Sequence, residues 1–227
     1  MKELLRLFGS LFSALWFLTS ASAQGVQLGL GSEVVTAAEL QSCDLLFVVN
    51  HQGNAITQST TRSGRLPIDH VAIVLREGDS LWVYEAAPGK GVSHTPLSRF
   101  ANDYLHAAAH QYAIAVGRVT SSVIDTTATK MRFTQIIAPY DSLYLPDDSA
   151  YYCSELVQKT FVDHQGSLIF PTIPMSFHNE AGEILPFWTQ LYARHGMAVP
   201  EGAPGTNPGQ IAHNPQVRLI GYLKEVF

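Results

Sequence analysis

Two side chains able to drive acyl transfer near neutral pH stand at informative places in this sequence. Cys153 heads the run CSELVQKTF, where Leu156, Val157, Thr160 and Phe161 give one inward face to a helix. A thiol at a helix N-terminus meets unpaired backbone N–H groups and the positive end of the helix dipole, which favour its thiolate form. His70 precedes VAIVL, and an imidazole can take and return a proton near neutral pH. Glu85 lies in LWVYEA, the next strand-like run, and its carboxylate could hold the His70 ring in the useful tautomer. The Cys153 backbone amide and the Tyr152 hydroxyl are candidate donors to the oxyanion that follows thiolate attack.

Those three side chains need a strand pair and a helix to position them. DHVAIVL and LWVYEA, separated by Arg76 to Asp79, read as a β-hairpin. Setting Leu75 opposite Ser80 leaves a four-residue loop and places His70 directly opposite Glu85, with Ala72 and Val74 facing Val83 and Leu81. A one-residue slip would carry Glu85 to the other face. CDLLFVV, residues 43–49, is apolar and β-branched enough for a buried strand. Residues 50–67 form a long polar loop with room for one helical turn. Residues 96–105, 122–137 and 185–192 have helical patterns, and 112–119 and VRLIGYLKEV have strand patterns.

The first 23 residues read as a secretory signal peptide: Lys2 and Arg6, an apolar run from Leu7 to Leu18, then Ala21-Ser22-Ala23. The apolar run is shorter than the about 20 residues that span a bilayer, and no later run is long enough. Residues 24–227 fit one domain. Taking Lys2, Arg6 and Glu3 from the 14 basic and 19 acidic residues leaves 12 and 18, so the net charge moves from -5 to -6. With no clustered Lys/Arg surface, nucleic acid is not an expected partner. Only Cys43 and Cys153 are present, and an exported chain could either bridge them or keep Cys153 free for chemistry. His106 and His110 share helical i,i+4 spacing, but there is no HExxH motif, so no metal or other cofactor is expected. Phe177, Phe187, Trp188 and Tyr192 read as core packing or as the wall of a pocket.

The segments CDLLFVV, DHVAIVL, LWVYEA, YDSLYLPDD and YYCSELV, in that order, resemble the circularly permuted branch of the NlpC-type papain-like hydrolases, in particular its YiiX-like members. The likeness is close over residues 40–162, and the Pro/Gly-rich tail with VPEGAPGTNPG is similar to a subset of exported relatives. It implies an α+β papain-like fold, with an antiparallel β-sheet packed against the helix carrying the nucleophilic Cys. Cys153 then matches the family nucleophile, His70 its base and Glu85 its acidic orienter. Two positions depart from the pattern. Cys43 stands where relatives usually carry glycine, and Asp69 where a small hydroxyl residue is common. Strand alternation is expected to point Asp69 away from His70.

The resulting expectation is an exported, periplasmic or extracellular thiol hydrolase that cleaves an amide bond through a Cys-His-Glu triad and an acyl-enzyme. Cell-wall peptides, peptidoglycan fragments or small peptides are the leading substrates. A lipid amide or ester hydrolase or acyltransferase on the same scaffold is the alternative. A noncatalytic cell-envelope binding module is a third reading.

Overall fold

The computed structural model describes residues 33–105 and 112–224. The leader, and His106 and His110, lie outside the described residues. Seven strands form one sheet: β1 (Val34–Val35), β2 (Leu45–Asn50), β3 (Ile68–Glu77), β4 (Ser80–Ala87), β5 (Gly91–Pro96), β6 (Tyr112–Val119) and a last strand, Val217–Leu223. Their spatial order is β1, the last strand, β6, β2, β3, β4, β5, and every neighbouring pair is antiparallel except β1 with the last strand.

The unbroken apolar run of β2 reflects its central place, since it is buried along its whole length. Leu45, Phe47 and Val49 face one layer with Val71, Ile73 and Leu75; Leu46 and Val48 face the other with Ala72 and Val74. The second layer is closed by α2 (Leu97–Leu105), which buries Leu97, Phe100 and Ala101 at i, i+3 and i+4. The first is closed by α3 (Thr126–Gln135), whose N-cap is Asp125, and by α4 (Cys153–Thr160), in which every residue but Lys159 is buried.

The 50–67 segment contains a short helix, α1 (Ala55–Thr60), capped by the Asn54 side chain. The tail adds a two-stranded ribbon of Ile173–Pro174 with Pro204–Gly205, then α5 (Pro186–Arg194) and α6 (Pro208–Ala212) in chain order around it. Phe177, Trp188 and Tyr192 form a separate apolar cluster, against which Ile56 of α1 packs. The Trp188 indole N–H donates to Ser59 Oγ at 2.8 Å, fastening α1 to the tail. Phe187 points outward and is exposed.

The β3–β4 hairpin differs from its expected register. Glu77 pairs with Ser80 and Leu75 with Trp82, so the turn is the two residues Gly78-Asp79, with Gly78 at φ 58°. Arg76 belongs to the strand: its guanidinium donates to the carbonyls of Leu40 and Ala37 at 3.0 and 2.7 Å. Continued toward the site, this register sets Glu85 against Ala72 rather than against His70. A shift of two keeps the face, so the carboxylate still meets His70 diagonally.

Candidate active site

His70 sits where β3 stops following regular alternation. Val48 pairs with His70 but Val49 pairs with Ile68, which leaves Asp69 as the extra residue of a β-bulge. With the bulge, strict alternation no longer sets the direction of Asp69 relative to His70. Its carboxylate accepts from the Asn50 and Asn54 amides at 2.8 and 2.7 Å and lies within reach of the His70 charge. Burial is the larger influence and raises the Asp69 carboxyl despite those contacts.

The His70 ring is buried. Its Nε2 meets Glu85 Oε2 at 2.8 Å, and the rings of Tyr104 and Phe100 lie with centroids 5.9 and 6.4 Å away. Nδ1 is therefore the ring nitrogen left for another partner. Burial opposes an imidazolium here, but the Cys153 side chain and then Glu85 outweigh it and raise the His70 pKa well above its ordinary value of 6.5. Burial likewise opposes charge on Glu85. Its hydrogen bond to His70 and the Lys90 ammonium, 3.7 Å from Oε1, nevertheless hold the carboxyl below the usual range. Cys153 is the first residue of α4, and Leu156 N–H donates to the Tyr152 carbonyl at 3.0 Å. Amides before that point belong to the unpaired first turn. Cys153, His70 and Glu85, far apart in sequence, thus share one buried site.

Tyr152 does not occupy the place expected of an oxyanion donor. Its hydroxyl accepts from Thr206 N–H at 3.0 Å and approaches Met175 Sδ at 3.7 Å, so it anchors the tail to the start of α4. Gly205 makes room for that anchor: a Cβ there would lie 2.2 Å from Met175 Sδ and 2.9 Å from the Tyr152 hydroxyl. Tyr140 was not singled out by its sequence context, yet its phenol lies within reach of the Cys153 charge. The 138–141 segment pairs with Tyr151 and presses on Gly91, whose φ of 69° and missing Cβ admit the Ala138 carbonyl. Burial and then the Cys153 charge push the Tyr140 phenol upward, so its hydroxyl keeps its proton. It lies 3.5 Å from the Tyr144 hydroxyl.

Cys43 is remote from this cluster. It is a buried free thiol, as is Cys153, and burial pushes its pKa up to about 12. Its amide donates to the Val74 carbonyl, four residues beyond His70 on β3, or about 13 Å along the strand. The two thiols are not bridged to one another. Cys43 has φ 69°, the left-handed region where glycine is favoured. Among the described residues, no three His, Cys, Asp or Glu side chains are grouped to hold a metal ion. Nor is any helix among them long and apolar enough to cross a membrane.

Residues 39–221 match a family described as permuted papain-like amidase enzyme, YaeF/YiiX, C92 family. Among solved structures, the chain is similar to yiiX of Escherichia coli O157:H7, a protein described as a metalloprotein. The TM-score is 0.63 and the identity 19%, covering 80% of this chain and 97% of that one, a likeness of fold. No curated protein matches the chain. The strand bearing His70 precedes the helix bearing Cys153, the chain order of a circularly permuted papain-like fold. With the match spanning most of its length, the chain belongs to the YaeF/YiiX, C92 family of permuted papain-like amidases and is an enzyme of the cysteine-hydrolase type.

Proposed function

We propose that this enzyme is exported and cleaves an amide bond in cell-wall peptides or other small peptides, with Cys153 as nucleophile, His70 as acid and base, and Glu85 as the orienter of His70. The observation that carries this reading is the 2.8 Å bond from Glu85 to His70 Nε2, which leaves the other ring nitrogen for Cys153. Cys153 Sγ attacks the carbonyl carbon; a C–S bond forms and the carbonyl π pair moves to oxygen. As that pair returns, the C–N bond breaks and His70 gives its proton to the departing amine. Water then attacks the thioester, His70 takes a proton from it, and the acid leaves as the C–S bond breaks.

The oxyanion is held by the Cys153 N–H and, in place of Tyr152, by the Tyr140 hydroxyl, whose proximity to Cys153 supports that role. Burial of His70 and Glu85 strengthens their interaction and keeps bulk water from competing for it. An N-terminal leader of the secretory kind supports export, and residues 24–227 form the mature domain in this reading. Defined muropeptides and N-acyl lipid amides incubated with wild type, Cys153→Ala and His70→Ala test it. Release of amine from the peptides, abolished in both variants, is expected. Turnover confined to the lipid amides would overturn the substrate assignment, and turnover that survives Cys153→Ala would overturn the mechanism.

A further inference from the structure

The buried Glu85 carboxylate uses its two oxygens differently. Oε2 meets His70 Nε2 at 2.8 Å, while Oε1 faces the Lys90 ammonium at 3.7 Å and has no other donor among the described residues. Burying a carboxylate is costly unless its charge is compensated, so the second oxygen needs a partner as much as the first. An ion pair between two exposed groups contributes little, but here the Glu85 side chain is 3% exposed and the Lys90 side chain 45%. One end of the pair is therefore shielded from water.

Lys90 comes from the turn between β4 and β5, and its backbone N–H donates to the Ala87 carbonyl at 3.1 Å. The next residue, Gly91, packs against the Ala138 carbonyl, which also accepts from Val92 N–H at 2.9 Å. The turn is thus fixed against the segment that carries Tyr140. On its other side the ammonium lies 3.9 Å from Asp103 Oδ2 on α2, and Asp103 precedes Tyr104, whose ring stacks on His70. The titratable groups around His70 and Glu85 are Cys153 from α4, Asp69 from the bulge, Tyr104 and Asp103 from α2, and Lys90 from the turn. Lys90 is the one permanent cation in that set.

We propose that Lys90 is a positioning residue for the reaction at Cys153: it holds Oε1 so that Oε2 is presented to His70, and its charge sets the pH range over which the ring works. The proposal rests on the reading of Cys153, His70 and Glu85 given above. The ion pairs of Lys90 are with Glu85 and Asp103, so it acts on the thiol and the ring only through Glu85 and through its field. Removing this cation makes each proton of the cluster harder to lose. Half exposure of the ammonium screens the effect to about half a pH unit.

The test follows two observables in wild type, Lys90→Met, Lys90→Arg and His70→Ala. One is the His70 imidazole titration by NMR. The other is the rate of Cys153 alkylation by iodoacetamide over a pH series, with the two cysteines resolved by peptide mass spectrometry. In Lys90→Met both profiles should move to higher pH by about half a unit, with the limiting alkylation rate little changed. Lys90→Arg keeps the charge and should restore the wild-type profiles. A loss of limiting rate with no displacement would make Lys90 merely structural and overturn the proposal, as would Lys90→Met profiles that superimpose on wild type or an equal displacement in Lys90→Arg. Wild-type alkylation of Cys153 that His70→Ala leaves unchanged would overturn the triad reading and this proposal with it, so the two failures are told apart.

Discussion

Glu85→Gln keeps the size of the side chain that meets His70 but removes its charge. In the structure this carboxylate lies 2.8 Å from Nε2 and is almost wholly buried, so water can do little to replace it. A buried hydrogen bond to a charged group is worth about 1.5–3 kcal/mol. At 1.36 kcal/mol per pKa unit, His70 should fall by about one to two units from its raised value. If the same interaction stabilises imidazolium in the transition state, kcat/KM should drop roughly ten- to 150-fold. The assay is the imidazole titration followed by NMR, paired with kcat/KM on a peptide amide across the same pH range. The alkaline limb of the rate profile should move down together with the His70 titration. An unchanged His70 titration in a folded Glu85→Gln protein would refute the reasoning, because Glu85 would then contribute nothing to the state of the ring.

Three further predictions concern His70, Tyr140 and Cys43. His70 is raised from 6.5 to about 10, so its contribution to stability is fully present below about pH 6.5 and lost as pH rises through about 10. Glu85 is lowered from 4.5, so its contribution is present above that pH and lost on acidification. Urea melts at pH 5 to 10 should show a loss on the alkaline side that His70→Ala lacks, and equal slopes would contradict the pairing. Tyr140→Phe should lower kcat by about 100-fold with KM little changed, since an oxyanion donor acts chiefly in the transition state. A change in KM alone would assign Tyr140 to binding. Cys43→Gly should be less destabilising than Cys43→Ala, the reverse of the usual order, because left-handed backbone costs about 1–2 kcal/mol for a residue with a Cβ. Denaturant midpoints of the two variants check it.

Much of the site was legible because its residues lie on elements with strong local signals. The β2 run, the β6 run and the helix headed by Cys153 follow directly from apolar pattern and punctuation, and β6 has the expected bounds. The hairpin register did not follow, because Arg76 and Glu77 look like turn residues. In the fold, Arg76 finds distant carbonyl partners and remains in the strand. Glu85 still reaches His70 because the displacement is two residues rather than one. The bulge at Asp69 leaves no local signature, since it answers to pairing with a strand some twenty residues earlier. The direction of the Tyr152 hydroxyl was hidden for a related reason. Whether an aromatic hydroxyl faces the thiol or the tail depends on Thr206, Met175 and the close approach at Gly91, all distant in sequence. The aromatic tail residues prove to be both core and pocket wall: Phe177 and Trp188 are buried in their own cluster and border a cavity beside Ser154.

The central claim is that Cys153 is the reacting thiol and that His70 makes it so. The most direct measurement is the rate of alkylation of each cysteine by iodoacetamide, resolved by peptide mass spectrometry, in wild type and His70→Ala over a pH series. Labelling should fall on Cys153, with Cys43 inert in the folded protein, and should slow markedly when His70 is removed. Equal, slow labelling of both thiols, unchanged by loss of His70, would contradict the account.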